Sequence, residues 1–158
     1  MTGPAVVFEN GLPATEALKR GEIKAGEIIV VRGDGPKGSP GMGGSAGSVL
    51  FALDALGLSA EIGLVTDGQL SGLCNKGLTV AEVSPEAAIG GPLSLVETGD
   101  TIIIDVEKRQ LDLDVPAEVL DQRRADRGEP VLPKYKGYLA IYQRNVQPMS
   151  KGAVLVEE

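Results

Sequence analysis

Short runs of β-branched and aliphatic residues, cut by Gly, Asp and Pro, dominate the chain. They predict strands at Gly26–Gly33 (GEIIVVRG), Ala60–Thr66 (AEIGLVT), Gly91–Glu97 (GPLSLVE) and Asp100–Val115 (DTIIIDVEKRQLDLDV). In the last run, Ile102, Ile104 and Val106 alternate with Ile103, Asp105 and Glu107, and Glu107 to Gln110 reads as a turn. A hairpin with one buried face is expected, with Asp105, Asp112 and Asp114 on its solvated side.

Helical periodicity is scarcer. The stretch from Leu12 to Gly26 offers Thr15 as a cap, an Ala/Leu face and Gly21 as a stop. Val49, Leu50, Leu53 and Leu56 recur at helical spacing before Gly57, which marks the best apolar helix. After Pro116, acidic residues come early and arginines late, as the helix dipole favours, and GYLAIYQRNV predicts a last helix before the tail. Ser84-Pro85-Glu86 reads as a helix start capped by Ser84. Several strands with brief helices predict one domain over 1–158 of mixed α/β class, dominated by strands. The expected architecture is a β-barrel or sandwich with peripheral helices, not a doubly wound sheet.

Composition narrows the chemistry. Only 3% of residues are aromatic against 42% hydrophobic, so the core must be built from Val, Ile, Leu and Ala. A net charge of −7 leaves no basic stripe for a phosphate backbone and argues against nucleic acid as a partner. The chain has no histidine, which removes Ser-His-Asp and Cys-His catalysis and imidazole metal sites. Its one cysteine, Cys74, cannot build a disulfide, an iron–sulfur cluster or a zinc site alone, and reads as a small hydrophobe. No run reaches the ~18 apolar residues of a membrane span and no signal-like start is present, so a cytoplasmic protein without a membrane partner is the default expectation.

Two stretches could carry chemistry. The glycine-rich segment Arg32–Ser48 runs directly into the apolar helix, where free amides could meet a carboxylate or phosphate; a packed turn fits equally well. It is neither a Walker loop nor a dinucleotide fingerprint. The second, Thr66–Gly77 (TDGQLSGLCNKG), puts Ser71 on a turn at a strand exit. Without histidine, that hydroxyl would need a metal, a lysine such as Lys76, or a group from another domain as activator; a glycine-eased loop is the plainer alternative.

The ordered set GP…GSPGM, LVTDGQLSG, EVSPEAAIGGPLSLVETGD, IIIDVEKRQLDLDV and SKGAV resembles the carboxy-terminal domain of the dihydroxy-acid dehydratase and phosphogluconate dehydratase family, over almost the whole chain. The resemblance implies a β-barrel flanked by short helices, similar to the swivelling domain of aconitase-like enzymes. It also implies a hydro-lyase that converts sugar acids or 2,3-dihydroxy acids to 2-keto acids, with Ser71 as base. Gly41, Met42 and Ser45 of the glycine-rich loop, and Thr66, Asp67 and Gly72 of the serine motif, are then expected to contact substrate.

The chain departs from the family at Gly44, where SPGMGG replaces the common GPGMPE and its magnesium-binding glutamate, so no metal ligand is assigned to this chain. No histidine follows the serine motif either. The wording GQLSGL…NKG is nearer the sugar-acid branch. The resemblance places the iron–sulfur cluster and magnesium on an amino-terminal domain that is absent here. A cluster-binding domain or large subunit is therefore the expected partner, a sugar acid the expected ligand, and a homo-oligomer the expected state of the isolated chain, which by itself should be inactive. Two alternatives stand beside this reading: a non-catalytic swivelling-domain module, motivated by Gly44, and a small anion-binding protein using the helix start.

Overall fold

The computed structural model describes residues 1–41 and 44–156. Ten main elements follow in order: β1 (Thr2–Phe8), α1 (Gly11–Lys19), β2 (Ile28–Val31), α2 (Ala46–Ala55), β3 (Gly63–Thr66), β4 (Thr79–Val80), β5 (Thr101–Asp105), β6 (Gln110–Asp114), α3 (Ala117–Arg127) and α4 (Tyr138–Asn145). The strands form one sheet in the order β4-β3-β2-β1-β5-β6. β1 to β4 run parallel, with Val30 opposite Val7 and Val65, while β5 and β6 are antiparallel.

This is the strand-rich mixed α/β class that the hydrophobic pattern predicts, with the sheet curled into a half-barrel. Side chains of β2 and β3 alternate between two cores because both sheet faces are covered. Ile29, Val31 and Leu64 pack beneath α1 and α2 with Ala14, Leu18, Val49, Leu50 and Leu53. Ile28, Val30 and Val65 pack on the opposite face with Ile102 and Ile104 of β5 and with Leu93 and Val96. Val65 and Ile102 share a cluster although two strands lie between theirs, which is the signature of the curl.

Several local expectations change. GPLSLVE is not a strand: Pro92–Leu95 form a 3-10 helix, closed by Ser94 N–H donating to Gly91 O and Val96 N–H to Leu93 O. Its apolar residues cap a core rather than join a ladder, and Pro92 has no N–H to offer a central strand. The Asn10 side chain, not Thr15, caps α1, accepting from Leu12 N, while Thr15 Oγ1 donates to Gly11 O inside the helix. Gly21 ends the turn after α1, as expected, with φ +68°. Leu56 lies beyond α2 and is exposed, and Val106 sits in the hairpin turn instead of on the buried face. Ser84 caps nothing: Glu86 occupies the cap position of the 3-10 turn Ala87–Ile89, and its side chain turns elsewhere.

Carboxylates tie the loops at the carboxyl ends of the parallel strands. Asp67, fully buried after β3, accepts from Gly33 N (3.1 Å), Asp34 N (3.0 Å) and Ala87 N (2.8 Å). Glu86 accepts from Lys37 N (3.0 Å) and Gly38 N (2.9 Å). Arg32 answers in the opposite sense, donating to the carbonyls of Leu93, Ser94 and Val96 and pairing with Glu9. Burial pushes the Asp67 and Glu86 carboxyls above their ordinary range, although the amide donors pull the other way.

Truncating Asp67 strands three backbone donors. Asp67→Ala should lower unfolding stability by about 3 kcal/mol or more in a urea titration, since each unmet buried donor costs ~1–3 kcal/mol. The raised Glu86 pKa has a definite sign in stability: as pH rises, the unfolded chain releases its proton first, so the stability held by the neutral folded carboxyl is lost through the folded pKa. The thermal midpoint of the wild type should therefore fall relative to Glu86→Gln as pH rises from about 4 upward. A constant gap between the two melting curves would contradict this.

Candidate functional site

The exit from β3 is built by local hydrogen bonds. Thr66 Oγ1 accepts from Gly68 N (3.0 Å), and the carbonyls of Thr66 and Gly68 accept from Val83 N and Glu82 N. A Cβ on Gly68 would lie 2.6 Å from the Asp34 Cβ, so the turn tolerates only glycine there. Beyond it the chain bends again, with Cys74 N donating to Ser71 O (2.8 Å) and Leu73 N to Ser71 Oγ (3.3 Å). Ser71 is exposed, and among the described residues its hydroxyl donates to no protein acceptor.

Ser71 opens into a pocket of about 390 Å³ between this turn and the start of α2. Gly44, Gly47, Ser48 and Phe51 form one wall, and Gln69, Leu70, Ser71 and Cys74 the other. Ser48 and Phe51 lie one helical turn apart and so face the same way. Cys74 packs against α2, with its Sγ 3.4 Å from where a Cβ on Gly47 would stand. Lys76, the nearby lysine, is paired with both oxygens of Asp54 at 3.0 Å rather than turned toward Ser71.

The start of α2 is already satisfied. Asp34, 5% exposed, accepts from Ala46 N (3.1 Å) and Ser45 Oγ (2.6 Å), and Ser45 Oγ accepts in turn from Gly11 N (2.7 Å). Gly47 N and Ser48 N donate to Gly44 O and Ser45 O. The helix start expected to attract an external anion thus holds an internal carboxylate, and these three amides are engaged.

The predicted site residues separate into groups. Ser71 and Gly44 share the pocket. Thr66 and Asp67 are fully buried behind it, and Ser45 belongs to the Asp34 network. Gly72 is exposed at the tip beside Ser71. Gly41 lies under α4, where a Cβ would meet Leu139 Cδ2 at 3.1 Å; Met42 falls outside the described residues. Gly44 has φ +56°, in the left-handed region. Sequence reasoning missed Ser48, Phe51, Gln69 and Leu70 as pocket walls and Asp34 as the cap. Only the spacing of Ser48 and Phe51 on α2 signalled a shared face.

Among the described residues no group of three His, Cys, Asp or Glu could hold a metal ion. A single cysteine cannot supply the several thiolates of an iron–sulfur cluster. No helix of the described residues is long and apolar enough to cross a membrane.

Residues 1–153 match the family described as dihydroxy-acid/6-phosphogluconate dehydratase C-terminal. The chain is 41% identical over 152 residues to dihydroxy-acid dehydratase 2 of Corynebacterium efficiens, covering 96% of this chain and 26% of that protein. It is 45% identical over 157 residues to dihydroxy-acid dehydratase of Carboxydothermus hydrogenoformans, covering 99% and 28%. With dihydroxy-acid dehydratase of Chloroflexus aurantiacus it shares 46% over 155 residues, covering 98% and 27%. The chain thus spans about a quarter of the length of these relatives. It belongs to the dihydroxy-acid/6-phosphogluconate dehydratase family and corresponds to the carboxy-terminal domain of its members.

Proposed function

We propose that this chain is the active-site domain, or small subunit, of a hydro-lyase that dehydrates 2,3-dihydroxy acids or sugar acids to 2-keto acids, with Ser71 as the base. The observation that carries the reading is the position of Ser71. It is the exposed hydroxyl of the serine turn, it faces a pocket walled by the start of α2, and it lies in a chain of dehydratase lineage. In this reading Ser71 first gives up its own proton to the partner domain and, as alkoxide, takes the C2 proton of the substrate. The C3 hydroxyl leaves with the C–O bonding pair and receives the proton that Ser71 gave up, becoming water, and the resulting enol tautomerises to the keto acid. Ser48 and Gln69 line the same pocket and would orient substrate hydroxyls, and Phe51 and Leu70 would exclude water from it. The apolar share of these walls, together with relatives named dihydroxy-acid dehydratase, supports an alkyl dihydroxy acid at least as well as a sugar acid.

In this reading the iron–sulfur cluster and magnesium that the resemblance implies sit on a separate amino-terminal domain or large subunit. Exposed Phe51 and Leu73 flank the pocket and would be covered by that partner, or by a second copy of the chain when the partner is missing. The competing reading is a non-catalytic module that keeps the swivelling-domain fold. It is favoured by one observation, the glycine at position 44 in the pocket wall where the family commonly places a glutamate.

Mixing the chain with a matching cluster-binding domain and measuring 2-keto acid formation separates the two readings. Ser71→Ala should lower turnover by about 10²–10⁴-fold, the range of a lost general base; undiminished turnover would mean that Ser71 is not the base, and no turnover from the wild type would favour the module. For the isolated chain, light scattering should return a dimer or larger species, and a monomer mass would refute self-association.

A further inference from the structure

Asp34 does not line the Ser71 pocket, but it is hydrogen-bonded to the base of each of its two walls. Its own N–H donates to Asp67 Oδ1 (3.0 Å), at the root of the turn that carries Ser71. Its Oδ2 accepts from Ser45 Oγ (2.6 Å) and Ala46 N (3.1 Å), at the start of the helix that carries Ser48 and Phe51. Its Cβ lies where a side chain on Gly68 would have to go. No other residue among the described residues bonds both the Asp67 carboxylate, with its backbone N–H, and the first turn of α2, with its side chain. Ser45 extends the link to α1 by accepting from Gly11 N (2.7 Å).

We propose that Asp34 is a positioning residue for the Ser71 pocket: its carboxylate holds the start of α2 at a fixed separation from the serine turn, and so sets the distance between Ser71 and the Ser48–Phe51 wall. The inference deepens the assignment of Ser71 as base and rests on it for its catalytic meaning, but its geometric content can be read separately. Losing the carboxylate releases one wall from the other without removing any group that lines the pocket. The hydroxyl of Ser45 is the second half of the same latch, so its loss should mimic the loss of Asp34 in part.

Cys74 supplies a reporter, since it is the chain's only cysteine and packs on Gly47 across the seam between the walls. The experiment measures the rate of Cys74 labelling by 5,5′-dithiobis(2-nitrobenzoate) in the folded full chain. The variants are Asp34→Asn, Ser45→Ala and the pair together, with Arg123→Ala as a control that breaks the distant Arg123–Asp100 ion pair. Asp34→Asn should speed labelling about tenfold, and the double variant should gain less than the product of the singles, as coupled groups do. Should Asp34→Asn fail to fold, Ser45→Ala alone carries the test, with acceleration expected beyond that of the control. Labelling no faster than in Arg123→Ala, or singles that multiply independently, would overturn the proposal. In the reconstituted enzyme, Asp34→Asn should lower kcat more than it raises KM, whereas a merely structural role would lower only the active fraction. If Ser71→Ala keeps full turnover while labelling still accelerates, the base assignment fails and the latch stands.

Discussion

The buried carboxylate of Asp67 is the constraint on which the rest of this structure depends. An isolated charge or an unbonded carboxyl inside a protein is costly, and Asp67 is tolerated only because three amides from two separate segments converge on it. Those segments are the loop after β2 and the 3-10 turn that follows β4. The exits of β2 and β3 are thereby fastened to the material covering the second core. Glu86 repeats the device one turn further out, on the backbone of Lys37 and Gly38, and Arg32 closes it with the opposite charge on three carbonyls. With few aromatic side chains to pack beneath them, long glycine-rich loops are held here by polar groups bonded to backbone instead of by apolar bulk.

What could be seen in the sequence follows from this division. β2, β3, β5 and α2 are legible because each buries side chains at a repeating spacing, whereas α4 is legible although none of its residues is buried. β1 is not, since its apolar part is only Ala5–Phe8 and it follows Gly3 and Pro4, a pair that reads as a turn. The 3-10 helix at Pro92–Leu95 misleads in the opposite direction, because a short apolar run looks alike whether it joins a sheet or lids a core. The acidic residues were the hardest to place: an aspartate beside a glycine reads as a solvated turn, and nothing in the letters of Asp34, Asp67 or Glu86 distinguishes a carboxylate facing water from one facing amides.

The same holds for the site. Ser71 stood out through the turn that presents it, but the wall opposite comes from the start of α2, twenty or more residues earlier, and only the fold brings the two together. The glycine-rich loop read equally well as an anion site or as a packed turn. At the helix start the fold engages the amides of Ala46, Gly47 and Ser48 internally, and Gly44 and Gly47 shape the cavity beside Ser71. Under the proposed function, the division of labour is then sharp. This chain contributes an oxygen, a cavity and a rigid frame, while the groups that would draw the proton off that oxygen belong to another part of the enzyme.

Gly44 gives this division a further edge. Its backbone sits at φ +56°, a conformation that costs a residue with a Cβ roughly 1–2 kcal/mol. A glutamate placed here would start from that strained backbone, so a single substitution would add a carboxylate to the pocket wall only with a loss of stability or a shift of the loop.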